Sequence, residues 1–122
     1  MLTTFFIFIT AIGNPIFEEF YWRVFTLETL ADDGDIDTFR NKLITSVAYG
    51  AYHFWIPFTA DGPIAGIIFA AVTILFGYLL VWQRVKAGIF NAWLIHTGLN
   101  IGQIFMMYYL NIISITVERV QY

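Results

Sequence analysis

Residues 64–82, IAGIIFAAVTILFGYLLVW, run without a single formal charge, and no other feature of the chain limits its fold so severely. A hydrocarbon core of roughly 30 Å needs about 20 apolar residues in one helix to cross it. Only helices and closed barrels satisfy their own backbone hydrogen bonds there. The run therefore predicts a membrane-spanning helix. The remainder of the chain agrees: 59% of its 122 residues are hydrophobic, 12% are charged, and mean hydropathy is +0.71, against roughly 25% charged residues in an average soluble domain.

Three more spans are expected. Residues 87–117 are uncharged and should cross from near Ala87 to about Leu110, then continue along the interface. Residues 43–60, LITSVAYGAYHFWIPFTA, carry His53 as their one ionisable side chain and close at Pro57 and the turn ADGP. Residues 1–30 contain Pro15 and the charged stretch PIFEEFYWR, and read as one kinked span or a span followed by an amphipathic helix. The expected architecture is all-α, a polytopic transmembrane bundle of about four spans in a single domain, residues 1–122. Residues 31–42, ADDGDIDTFRNK, read as an exposed loop. Arg40, Lys42, Arg84 and Lys86 mark the cytoplasmic side by the positive-inside rule, which puts the N-terminus outside if the first segment crosses once.

Composition excludes several chemistries. The chain has no cysteine, so it offers no disulfide, thiolate metal site or cysteine nucleophile. Its net charge is -3, and six Lys and Arg spread in pairs make no basic patch for nucleic acid. There is no H-E-x-x-H or G-x-S-x-G motif, and the serines are Ser46 and Ser114. Asp32, Asp33, Asp35, Asp37 and Asp61 all fall in expected loops, which removes an intramembrane aspartyl dyad. No internal repeat is evident, and the basic region and cleavage site of a signal peptide are lacking at the N-terminus.

What remains ionisable inside the spans is concentrated at one depth. At about 1.5 Å per helical residue, Glu18, His53 and His96 lie roughly 14–18 Å from the cytoplasmic ends of their helices. Such groups cost at least about 2.5 kcal/mol for an acid at the helix centre, so they face a bundle interior or a wet cavity. Glu19 and Arg23 are four residues apart and suited to a same-face ion pair, whereas Glu18 stays free. Tyr49 and His53 share a face, as do His96 and Asn100. Singly, each group has a structural reading as an ion pair, packed histidine or interhelical glue. Asn14, Asn91, Gln103 and Asn111 keep such readings, as packing, capping or solvated residues, and the aromatic excess reads as lipid-facing surface.

A carboxylate and two imidazoles in a partly dry cavity suit hydrolysis: the acid takes a proton from water while a histidine orients it. An imidazole N–H or the Asn100 amide could stabilise the tetrahedral oxyanion. Glu18, His53 and His96 could equally hold zinc with an open position for water, so zinc is compatible with the residues but not required by them.

The ordered set EEFYWR, YGAYH and HTGLN resembles the E-E-x-x-x-R, F-x-x-x-H and H-x-x-x-N/D motifs of the CPBP family, the CAAX protease and bacteriocin-processing (Abi) proteins. The resemblance spans residues 18–100 and implies an intramembrane glutamate-type endopeptidase, long labelled a metalloprotease. Transferred to matching positions, Glu18 is the water-activating base, His53 assists it, His96 and Asn100 stabilise the oxyanion, and Glu19 and Arg23 are structural support, with Tyr49 as an aromatic wall. Two positions depart from the pattern: Tyr49 stands where phenylalanine is usual, and Val24 where many members have glycine. The chain is short for the family, so spans that shape a substrate groove are expected to be missing. The expected substrate is a membrane-associated peptide or lipidated, CAAX-type protein tail, in the plasma membrane of a prokaryote. The rival expectation is a non-catalytic membrane protein of the same fold, an immunity factor or scaffold. A less favoured third reading is an ion or proton pathway.

Overall fold

The computed structural model describes residues 9–31 and 34–120, with side chains to residue 110. Among the described residues the chain is wholly helical. Helix α1 covers residues 9–30 as one continuous rod in which α-helical turns, Asn14–Glu19 and Leu27–Leu30, alternate with π-helical stretches, Ile9–Gly13 and Phe20–Thr26. The junction residues Gly13, Phe20 and Leu27 keep right-handed helical dihedrals. Pro15 does not break the rod: it opens the α-helical turns of Asn14–Glu19, and the Thr10 carbonyl five residues before it accepts from Asn100 instead. The wider register of the second π stretch is capped by Thr26, whose hydroxyl donates to the carbonyl of Tyr21, five residues back, at 2.8 Å.

Helix α2, Phe39–His53, begins where the Thr38 hydroxyl accepts the Asn41 N–H at 3.2 Å. Arg40 and Lys42 are therefore helical, and the polar loop is shorter than expected. Phe54 separates α2 from α3, Trp55–Asp61. Pro57 cannot donate to the carbonyl of His53 four residues earlier, which loosens the helix at that point. Asp61 closes α3 instead of lying in a loop, while Asp32 and Asp33 lie outside the described residues. Gly62, at φ +89°, makes the reversal, and Pro63 opens α4, Pro63–Ala87. Gly88, at φ +87°, breaks the chain again before α5, Ile89–Val120. Asn91 caps this break, donating to the Ala87 carbonyl at 2.7 Å.

Among the described residues α4 alone is long and apolar enough to cross a membrane. The other expected spans do not meet that test. Residues 1–8 of the first lie outside the described part, α2 is interrupted at Phe54, and α5 is diluted by Asn91, His96, Asn100 and Gln103. The polar residues that build the site are thus the ones that lower its apolarity.

Helix α4 packs between α2 and α5, and α1 closes the ring against α5 and α2. The α2–α4 seam is the closest. A Cβ on Gly50 would meet the Ala70 carbonyl oxygen at 2.7 Å, one on Gly66 the Phe54 ring at 2.8 Å, and one on Gly77 the Tyr49 ring at 3.0 Å. Small residues let helix backbones approach in this way without a hydrophobic drive between them. Polarity is inverted relative to a soluble domain: Glu19, Arg23, Thr45 and Ser46 are buried, while Phe17, Phe25, Ile64 and Leu75 lie on the surface.

At the loop end, Arg84 donates to Glu28 at 2.8 Å, and Lys42 and Lys86 hold the Asp37 carboxylate at 2.7 and 3.2 Å. The three cations lie at one end of the bundle, as their positions in the sequence predict. Asp37 titrates below the usual carboxylate range, first because Lys42 and then because Lys86 hydrogen-bonds its charged form.

Candidate active site

A cavity of about 590 Å³ opens between α1, α2, α4 and α5, lined by Glu18, Tyr49, His53, His96 and Asn100 among others. The residues singled out from spacing are therefore brought together from three helices. Glu18 Oε2 lies 3.8 Å from His53 Nε2 and 3.6 Å from His96 Nε2. It has no hydrogen-bond partner within the protein despite being buried. These gaps exceed a direct hydrogen bond, and one water could reach the carboxylate and either imidazole.

The other oxygen of Glu18 is occupied. Asn14 Nδ2 donates to Oε1 at 2.6 Å, which corrects the expectation that Glu18 stands free. Asn14, expected to be a structural amide, is a site residue. Its signal was available, because it precedes Glu18 by four residues, the same interval that joins Glu19 to Arg23. The bond turns Oε2 toward the histidines.

Behind this surface lies a dry ion pair. Arg23 is fully buried with Nη1 at 3.3 Å from Glu19 Oε1, as the four-residue interval predicts. Its guanidinium also stands 4.2 Å over the Tyr49 ring, a cation–π contact that helps balance a desolvated charge. Glu19 does more than support: the same Oε1 is 2.7 Å from His96 Nδ1. Since an ion-paired carboxylate only accepts, His96 Nδ1 carries the hydrogen and Nε2 faces the cavity. On His53 the same accounting applies. Nδ1 is 2.9 Å from the Tyr49 carbonyl, which can only accept, so Nδ1 is protonated and Nε2 faces Glu18.

Asn100 lines the cavity wall, and its amide donates to the Thr10 carbonyl at 3.3 Å. The reason is local. In the i to i+5 register of Ile9–Gly13, that carbonyl would be served by residue 15, which is proline and has no N–H. One amide hydrogen of Asn100 thus ties α5 to α1 and the second is left for another partner. Gln103 also borders the cavity, whereas the side chains of Asn111 and Ser114 lie outside the described residues. Val24, where glycine is usual, lies within the π stretch Phe20–Thr26.

Among the described residues no three His, Asp or Glu side chains are grouped to hold a metal ion. The Nε2 of His96 lies 3.3 Å from the Tyr49 hydroxyl.

Comparison with known proteins bears directly on this site. No curated protein and no solved structure matches the chain. A family model does: type II CAAX prenyl endopeptidase Rce1-like, over residues 1–102, a stretch that includes all three motifs and Asn14, Glu18, Tyr49, His53, His96 and Asn100 of the cavity. The resemblance to the CPBP proteins is borne out, and the chain belongs to the Rce1-like family of type II CAAX prenyl endopeptidases.

Proposed function

We propose that this protein is an intramembrane endopeptidase that cleaves a peptide bond in a membrane-associated peptide or CAAX-type lipidated tail, using water activated by Glu18. One observation carries the reading: an unpartnered, buried carboxylate oxygen faces two imidazole nitrogens across gaps of 3.6 and 3.8 Å in a cavity open to substrate. Around it, α1, α2 with α3, and α5 join α4 as a four-span bundle. The apolar surface and buried polar interior favour that placement. The reading includes the plasma membrane of a prokaryote as its location.

In the first step Glu18 Oε2 takes a proton from water, and the hydroxide oxygen bonds to the scissile carbonyl carbon. His53 Nε2, held toward Glu18 by its bond to the Tyr49 carbonyl, orients that water. The carbonyl oxygen gains the charge and accepts from the free hydrogen of the Asn100 amide. His96 contributes to the same oxyanion only when Nε2 is also protonated, because its Nδ1 hydrogen is committed to Glu19. Collapse breaks the C–N bond, and the amine leaves with the proton held on Glu18. Water and one amide bond thus become one acid and one amine.

No step in this scheme uses zinc. Activity of the purified protein in proteoliposomes should therefore survive exhaustive chelation, and restoration by added zinc after chelation would reverse that part of the proposal. Glu18→Gln keeps the shape and the Asn14 contact but removes the base. It should lower turnover by about a thousandfold or more with melting temperature preserved. A fully active, folded Glu18→Gln protein rejects the mechanism. Turnover absent from the parent chain itself would favour an immunity or scaffold role.

A further inference from the structure

Tyr49 touches both histidines by different groups. Its backbone carbonyl accepts from His53 Nδ1 at 2.9 Å, and its hydroxyl lies 3.3 Å from His96 Nε2. The ring that carries the hydroxyl cannot drift. It is buried, lies under the Arg23 guanidinium at 4.2 Å, and packs against Gly77 on α4, where a Cβ would approach it to 3.0 Å. The Tyr49 and His96 rings meet edge to face, with an interplanar angle of 88°. His96 is clamped from its other side by Glu19 at 2.7 Å.

We propose that Tyr49 is the positioning residue of His96, its hydroxyl holding Nε2 in place while Glu19 holds Nδ1. The argument is one of donors and acceptors. With the Nδ1 hydrogen on Glu19, Nε2 of a neutral ring has a lone pair and no hydrogen. A carboxylate cannot donate to that lone pair, and Glu18 at 3.6 Å is too far for a hydrogen bond. The Tyr49 hydroxyl donates to it. When Nε2 gains a hydrogen, the phenol oxygen and the oxyanion share it, because a phenol accepts as well as donates. His96 is thereby held in one orientation in either state, with Nε2 turned to the cavity where an oxyanion forms. Phenylalanine, usual at this position, would keep the ring packing and lose the bond.

The kinetic side of this inference rests on the hydrolytic reading, and the spectroscopic side does not. In the full chain labelled with ¹⁵N-histidine, His96 should give a protonated Nδ1 and an unprotonated, hydrogen-bonded Nε2. In Tyr49→Phe the Nε2 signal should move toward that of a free lone pair, while the His53 tautomer stays unchanged because its partner is a backbone carbonyl. Turnover should fall about tenfold at unchanged KM, the effect of one lost hydrogen bond felt after substrate has bound. The hydrolytic reading fails if the parent chain has no turnover, and the ¹⁵N signals then still decide the role of Tyr49. That role is overturned if the parent carries its His96 hydrogen on Nε2 instead of Nδ1, or if Tyr49→Phe leaves the Nε2 signal and turnover as they were. The parent spectrum needs no substitution, so a variant that misfolds does not shelter the proposal.

Discussion

The α2–α4 seam and the wall of the cavity share α2 and α4 and hold together by different means. In the seam, the Ser46 hydroxyl is satisfied within its own helix, donating to the Lys42 carbonyl at 2.6 Å. That leaves small, polar-neutral surfaces that approach until glycine is required. At the cavity bonds also run between helices, from His96 to Glu19 and Tyr49 and from Asn100 to Thr10. The first region contributes packing and the second contributes chemistry. They are linked at adjacent residues, since Tyr49 reaches the site and Gly50 sits in the seam. Close packing on one side of α2 is what holds the polar groups on the other side at workable distances.

Glycine replacement is the sharpest way to break this contrast. Gly50→Ala should cost about 3 kcal/mol or more and Gly50→Leu should abolish folding, because the obstructing atom includes the backbone oxygen of Ala70. Gly98 borders the cavity and a Cβ there meets nothing within 4 Å, so Gly98→Ala should be neutral or stabilising by up to about 1 kcal/mol. Unfolding measured in mixed micelles checks both, and equal costs would dissolve the distinction. Arg23→Met probes the boundary between the regions. It leaves the buried Glu19 without its cation and should cost about 3 kcal/mol, with the His96 ¹⁵N signals disturbed as well.

Asn14→Ala moves the effect from stability to turnover. The Glu18 carboxylate loses its 2.6 Å donor and with it a fixed direction for Oε2, so turnover should drop roughly tenfold. A melting temperature that also falls by many degrees would place Asn14 with the seam. The smallest effect is expected at the loop end, at Asp37. Its carboxyl is held below its ordinary value of 3.8 by Lys42 and then Lys86. A depressed folded value means that the stabilisation is fully present above that ordinary value and disappears as pH falls through the folded one. Amide exchange over residues 35–42, taken relative to the intrinsic rate at each pH, should therefore be flat above about pH 4 and rise below it. In Asp37→Asn this acid-side rise should be missing, while turnover at neutral pH stays near that of the parent.

Much of the site could be read before any coordinates. The intervals from Glu19 to Arg23, Tyr49 to His53 and His96 to Asn100 are helical by construction, so their shared faces follow once the segments are helices. Asn14 could have been found by the same rule and was passed over because a lone amide in a span is more often packing. The bond from Asn100 to Thr10 is different in kind. It depends on a π register that no periodicity announces and on the carbonyl that Pro15 leaves unserved.

By itself the sequence determined the helical class, the long apolar span, the turn at Gly62, and which polar residues share a face, because these depend on local geometry and on the cost of burying polar groups in hydrocarbon. Only the tertiary structure decided which carboxylate serves which imidazole. Glu18 and Glu19 are neighbours with the same chemistry, and successive helical residues point about 100° apart. Their roles diverge because α5 brings His96 Nδ1 to Glu19 while α2 brings His53 toward Glu18, and contacts between helices distant in the chain leave no mark in local spacing.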